Sequence, residues 1–130
     1  MSARIGIIGA GAAGLMAAAT LLEEGVDADL FLIDRNNGLG KKVLISGGGR
    51  CNVTTGIPVI EEILKRYPRG SHFLKPAFHR FSPPAVVSWF EAHGVPLKCE
   101  ADNRVFPESN NGGDVVGVFE QVFDDPRCQI

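Results

Sequence analysis

The stretch RIGIIGAGAAG, from Arg4 to Gly14, decides how this chain folds. Its first part, Arg4 to Ile8, is short, apolar and rich in β-branched residues, as expected of a strand buried on both faces of a parallel sheet. Its second part places Gly9, Gly11 and Gly14 at the spacing GxGxxG. The stretch therefore predicts a central strand that runs into a tight glycine turn and then a helix.

The residues that follow complete a strand–helix–strand unit. A helix rich in Ala and Leu is predicted to start at Ala12 or Gly14 and to end near Glu24. Ala28 to Ile33 is again an apolar strand, and it ends on Asp34. The pattern predicts the α/β fold class, a Rossmann-type FAD/NAD(P)-binding fold with a parallel sheet.

Each glycine of the turn has its own predicted task in binding a dinucleotide. Gly9 permits the tight turn, Gly11 lets a pyrophosphate approach the backbone, and Gly14 lets helix and strand pack closely. The start of the helix offers free N–H groups and the positive end of its dipole to the phosphates. We therefore expect a diphosphate at this turn.

Asp34 lies twenty residues after Gly14, where a carboxylate accepts hydrogen bonds from ribose hydroxyls. A carboxylate repels a 2′-phosphate, so FAD or NAD is preferred to NADP, although Arg35 argues mildly the other way. Lys41 and Lys42 are interpreted as phosphate contacts. A P-loop at Gly40-Lys41 is excluded, because the motif requires a glycine where Arg35 stands and Ser or Thr where Lys42 stands.

The rest of the chain adds elements to this core. The segment from Arg35 to Gly56 has six glycines and no helical or strand periodicity, which predicts a long functional connection. Further elements are predicted as surface helices over Val59–Tyr67 and Leu74–Phe81, a helix capped by Ser82 and Pro83 that stops at Gly94, a small β-hairpin of Val95–Cys99 with Arg104–Phe106, a last helix over Val115–Phe123, and the beginning of a strand at Cys128–Ile130.

One motif is far more specific than the glycine turn: GKKVLISGGGRCNVT, from Gly40 to Thr54, which is followed by Arg104-Val105-Phe106-Pro107. With these motifs the chain resembles the bacterial FAD-dependent oxidoreductases described as aminoacetone-oxidase-like or two-dinucleotide-binding-domain flavoproteins. The resemblance implies that residues 1–130 are the N-terminal FAD-binding region of a longer flavoprotein and would be inactive alone. Two departures are Asn103 in place of a glycine and Gly112-Gly113 in place of helix formers.

The resemblance also implies that Ala13, Asp34, Arg35, Lys42 and the loop from Ser46 to Asn52 contact FAD. Hydride chemistry then belongs to the flavin, with NAD(P)H as a possible electron donor, and no catalytic residue is assigned. Cys51 is interpreted as a buried packing residue. The predicted cofactor-binding residues are Gly9, Gly11, Ala12, Ala13, Gly14, Asp34, Arg35, Lys41, Lys42, Ser46, Gly48, Gly49, Arg50, Cys51 and Asn52.

Composition excludes several other classes of protein. A net charge of −2 argues against nucleic acid as a partner, and three cysteines without a CxxC pair encode neither a disulfide framework nor a metal site. The uncharged run from Ile5 to Leu22 contains too many glycines for a membrane helix or a signal peptide. We expect a cytoplasmic protein whose partners are a small-molecule substrate and the rest of the parent chain.

Three alternatives to a flavoprotein acting on a small molecule stay open. They are an NAD-dependent dehydrogenase, a non-catalytic nucleotide-binding regulator, and a flavoprotein that modifies RNA. The sequence does not identify the substrate, the electron acceptor or the oligomeric state.

Overall fold

A computed structural model describes residues 3–130, so the first two residues of the predicted domain lie outside the described part. The chain divides into two compact units. The first runs up to Cys51 and resumes at Asn111–Ile130, and the second is Asn52–Asn110. The elements in chain order are β1 (Ala3–Ile8), α1 (Ala12–Glu23), β2 (Ala28–Ile33), α2 (Lys41–Ile45), a 3-10 turn (Ser46–Gly49), β3 (Thr54–Thr55), α3 (Ile60–Leu64), α4 (Ser71–Arg80), α5 (Pro83–Ala92), β4 (Leu97–Cys99), β5 (Arg104–Pro107), α6 (Gly112–Val122) and β6 (Cys128–Gln129).

A parallel sheet in the order β1-β2-β6 organises the first unit, which confirms the α/β prediction. Ile5 of β1 lies beside Leu30 of β2, and Leu30 lies beside Cys128 of β6. The prediction that β1 is the central strand is wrong for the described residues. Both edges of β2 are hydrogen-bonded to strands, whereas β1 pairs on one edge only and has exposed or half-buried residues along its length.

Helix α1 covers the parallel sheet with the face that its sequence predicts. Leu15, Ala18 and Leu22 are buried, and Gly25 ends the helix in the left-handed conformation with φ of 66°. Helix α6 adds a second apolar face that includes Val115 and Phe119. Burying such a side chain stabilises the fold by about 1.5 to 3 kcal/mol, so these two faces form the core of the unit.

The second unit is built on an antiparallel sheet in the order β3-β5-β4. Strands β4 and β5 form the predicted hairpin, and Asn103 in its turn has a φ of 65°. Asn tolerates this left-handed conformation better than most residues, which explains how it replaces a glycine here. Helix α5 begins as predicted, with the Ala85 N–H donating to the Ser82 hydroxyl over 3.4 Å.

The segment from Arg35 to Gly56 contains regular structure, although its sequence has no helical or strand periodicity. It contains α2, the 3-10 turn and β3. These elements are five, four and two residues long, which is too short for a periodic pattern to reveal them. Across residues 3–130, no helix combines the length and apolar character needed to span a bilayer.

Candidate nucleotide-binding site

A cavity of about 620 Å³ opens in the first unit at the carboxyl ends of β1 and β2. The last residues of these strands, Ile8 and Ile33, line the cavity although their side chains are largely exposed. Parallel α/β sheets bind ligands at this edge, outside the carboxyl ends of the strands. The lining residues are Ile8, Gly9, Gly11, Ile33, Asp34, Arg35, Asn36, Gly38, Lys41 and Lys42.

The glycine turn has the geometry that its sequence predicts. Gly9 turns the chain with a φ of 104°, and its N–H donates to the Ile33 carbonyl over 2.7 Å. A Cβ on Gly14 would overlap the Gly9 carbonyl oxygen, so only glycine allows α1 to pack this close to the turn. A Cβ on Gly11 would meet nothing within 4 Å. Gly11 is therefore not needed for packing and leaves open space beside the cavity.

Asp34 holds the turn in place as well as lining the cavity. Its Oδ2 accepts the Ala10 N–H over 2.7 Å, and its Oδ1 accepts the Asn36 N–H over 2.7 Å and the Asn36 side-chain amide over 2.9 Å. The backbone hydrogen bond from Asn36, followed by that from Ala10, lowers the pKa of Asp34 below its ordinary 3.8. The carboxylate is thus ionised at neutral pH.

This support was not predicted from the sequence. A carboxylate has about four lone-pair positions, and the Ala10 and Asn36 groups occupy three of them, which leaves about one for a ligand hydroxyl. Sequence patterns locate Asp34 after a strand but do not show which N–H groups meet its side chain.

A second backbone contact fixes the start of α2, the helix that carries two of the cations lining the cavity. The Gly40 N–H donates to the Ala10 carbonyl over 2.8 Å, and Gly40 has a φ of 61°. A Cβ there would lie 2.8 Å from Val116 Cγ2, so glycine lets α2 start close against α6. Lys41 and Lys42 follow directly and line the cavity, as does Arg35. Three cations and one carboxylate give the cavity a net positive charge that suits a diphosphate.

The loop from Ser46 to Asn52 does not line this cavity. Gly47, Gly48 and Gly49 all have positive φ, and the Cys51 N–H donates to the Ser46 carbonyl over 3.0 Å. Arg50 is half-buried. The lining residues that were predicted from the sequence are thus Gly9, Gly11, Asp34, Arg35, Lys41 and Lys42.

The last two residues of the loop contact other parts of the chain. Cys51 is 5% exposed, and burial raises the pKa of its thiol above 9.0, so the thiol stays protonated. This environment agrees with a packing role. Asn52 belongs to the second unit, where its Oδ1 accepts the Val105 N–H over 3.2 Å.

The other predicted residues lie at the start of α1. Ala12 and Ala13 form its exposed first turn, directly after the N-cap residue Gly11. Four lining residues were not predicted from the sequence: Ile8, Ile33, Asn36 and Gly38. For the first three, the position at or just after a strand end was the available signal, because ligands of parallel sheets bind there.

These features define a Rossmann nucleotide-binding domain, and comparison with protein families agrees. Residues 3–130 match the family described as "HI0933-like protein Rossmann domain", and the chain belongs to this family. This match confirms the family resemblance of the GKKVLISGGGRCNVT motif.

Curated relatives include redox enzymes. The chain is 28% identical over 127 residues to a 3-dehydro-bile acid delta(4,6)-reductase of Clostridium scindens, a match that covers 98% of this chain and 30% of the relative. It is 38% identical over 89 residues to ribosomal RNA dihydrouridine synthases of Escherichia coli and Haemophilus influenzae, covering 68% of this chain and 21% of each relative. The chain thus spans less than a third of these relatives.

Proposed function

We propose that this chain is the FAD-binding N-terminal region of a longer cytoplasmic flavoprotein oxidoreductase. The observation that carries the proposal is the turn at Gly9–Gly14, which opens beside a cavity lined by Asp34 and three cations. The family match and the reductase among the relatives support a redox function. The short matched share of each relative supports a longer parent protein.

The residues present suit FAD. The turn, the start of α1, and Lys41 and Lys42 would hold the diphosphate, while the remaining acceptor position of Asp34 would take a ribose hydroxyl. The family motif assigns further contacts to the Ser46–Asn52 loop. The bound flavin would supply hydride transfer, with NAD(P)H as the proposed electron donor, and the chain would bind and orient the cofactor.

Gly11 offers a direct test because its substitution spares the fold. A Val side chain at Gly11 enters open space beside the cavity, and a φ of −82° suits any residue. We expect the purified full-length protein to show a flavin absorption spectrum, and Gly11→Val to lose it. Gly6→Val is the matched control, because a Cβ on Gly6 also meets nothing within 4 Å and Gly6 does not line the cavity.

The possible outcomes separate the alternatives. Equal flavin content in Gly11→Val and wild type would overturn the assigned role of the turn. A colourless protein that binds NADH would identify an NAD-dependent dehydrogenase instead. Nucleotide binding without turnover of any electron donor would identify a regulator.

Two substrate classes follow from the relatives. A small molecule is the first candidate, since the match to the bile acid reductase covers almost the whole chain. RNA is the second candidate, since the identity to the ribosomal RNA dihydrouridine synthases is higher, at 38% against 28%. Incubating the reduced protein with each substrate class and following flavin reoxidation without oxygen distinguishes them.

A further inference from the structure

The second unit carries a basic surface that the net charge of the chain conceals. No Asp or Glu occurs between Glu62 and Glu91. The same stretch contains five cations, and we call residues 65–80, which hold all five, the basic segment. The cations are Lys65, Arg66, Arg69, Lys75 and Arg80.

Most of this charge is available to a partner. The Lys65 ammonium lies 2.6 Å from Glu62 Oε1 and is partly neutralised. Within residues 3–130, the side chains of Arg66, Arg69 and Lys75 form no ion pair, and neither does that of Arg80. All five cationic residues are exposed. The basic segment thus presents at least four uncompensated charges within sixteen residues.

Helix α4 has an apolar side that is turned inward and an outer side that is exposed. Leu74 and Phe78 are half-buried, and the Phe78 ring lies 6.0 Å from the Tyr67 ring. Phe73 is 85% exposed. It lies seven residues before Arg80 and therefore on the same face of the helix. An unburied aromatic ring thus shares one face of α4 with the cation Arg80.

We propose that the basic segment binds single-stranded RNA, with its cations on phosphates and Phe73 stacked on an unpaired base. Basic grooves with exposed aromatic rings bind single strands in this way, because every base offers a π-face. The inference deepens the second substrate candidate of the proposed function. It supplies the basic surface that an RNA-modifying flavoprotein needs.

An anionic membrane fits the same surface less well. A helix that lies in a bilayer interface needs a continuous apolar face turned outward. In α4 the apolar residues Leu74 and Phe78 are turned inward, and one large apolar side chain, Phe73, is fully outward. The charge pattern together with the single exposed ring therefore favours RNA.

The test measures binding of a fluorescein-labelled, unstructured RNA oligonucleotide to the full-length protein at several salt concentrations. In Lys75→Gln/Arg80→Gln, the slope of log K against log salt should become less steep by about 1.4, and affinity should fall about tenfold or more at about 0.1 M salt. The matched control, Arg4→Gln/Lys98→Gln, removes the same charge outside the basic segment and should leave the slope unchanged.

Variants at Phe73 distinguish the contribution of base stacking to RNA binding from the contribution of charge. Phe73→Ala should weaken RNA binding at least about fivefold without changing the salt slope, and Phe73→Trp should retain it. Equal effects of the two double variants, or no RNA binding by the wild type, would overturn the proposal. So would binding to phosphatidylserine vesicles in preference to RNA.

Flavin content measured on the same preparations separates this proposal from the proposed function. RNA binding that depends on the basic segment in a protein without flavin would contradict the flavoprotein assignment alone. A flavin-containing protein that does not bind RNA would contradict the basic segment alone.

Discussion

Two glycine-rich segments of the first unit are similar in sequence, but their glycines have different structural roles. In the turn from Gly9 to Gly14, one glycine has positive φ, one faces open space and one packs against a backbone carbonyl. In the segment from Gly47 to Gly49, all three have positive φ, at 57°, 69° and 88°. The first segment needs the absence of side chains, whereas the second needs a backbone conformation.

The two segments also differ in what holds them. The Ala10 N–H of the turn is accepted by the ionisable side chain of Asp34. The Cys51 N–H after the second segment is accepted by the neutral backbone carbonyl of Ser46. Helix α6 packs on the second segment, since a Cβ on Gly112 would lie 2.9 Å from the Gly49 carbonyl oxygen. Glycine-rich segments of similar composition are therefore held in place in different ways.

The largest effect is expected at Gly14 of the turn. Gly14→Ala places a methyl group onto the Gly9 carbonyl oxygen, which is backbone and cannot rotate away. We expect the free energy of unfolding to fall by about 3 kcal/mol, the upper end of ordinary overpacking. Urea denaturation measures this, with Gly6→Ala as a control that meets open space. Equal stability of the two variants would disprove the steric account.

The contact of α6 with the second segment predicts that two Gly→Ala changes in this helix alter the free energy of unfolding in opposite directions. Gly112→Ala should destabilise the fold by about 1 to 3 kcal/mol, because its Cβ meets Gly49 and Cys51. Gly117→Ala should stabilise it by about 0.5 to 1 kcal/mol, because its Cβ meets nothing within 4 Å. Thermal or urea unfolding would contradict the contact if both changes had the same sign.

A smaller difference in stability is expected between a glycine that is needed for its backbone conformation and one that only faces open space. Gly11 and Gly48 both face nothing within 4 Å, but Gly48 has a φ of 69°. Gly48→Ala should cost about 1 to 2 kcal/mol for holding a side chain in the left-handed region. Gly11→Ala should change stability by less than about 0.5 kcal/mol. Similar costs in urea unfolding would show that the two segments do not differ as described.

The smallest expected effect is a pH dependence confined to the turn. Because hydrogen bonds lower the pKa of Asp34 in the folded state, its stabilisation is complete above 3.8 and is lost as pH falls through the lower folded value. We expect wild type to exceed Asp34→Asn in stability at neutral pH, with the gap closing in acid. A gap that stays constant in urea unfolding down to about pH 3 would show that Asp34 is not linked to folding.

Local signals made most of the fold predictable. Strand β2 over Ala28–Ile33, the Ser82 cap of α5 and the β4–β5 hairpin all follow from short-range patterns of apolar, capping and turn residues. Strand β3 was missed because its two residues are a strand only through pairing with β5, about fifty positions away in the sequence.

The sequence predicted the kinds of chemical group at the candidate site better than it predicted which residues line the cavity. The GxGxxG spacing and Asp34 lead to the cavity, and Lys41 and Lys42 line it. Net charge, by contrast, averages the acidic first unit with the basic segment and hides the latter. An average over the whole chain cannot report where charges cluster on a surface.

By itself, the sequence determined the strand–turn–helix–strand core and its glycine turn. Those elements depend on residues within a few positions of each other, whose sterics and hydrogen bonds are local. Tertiary structure alone decided that Asp34 accepts the Ala10 N–H, that Gly112 lets α6 pack against Gly49, and which residues line the cavity. These outcomes depend on contacts between residues distant in the chain, which packing of the whole unit selects.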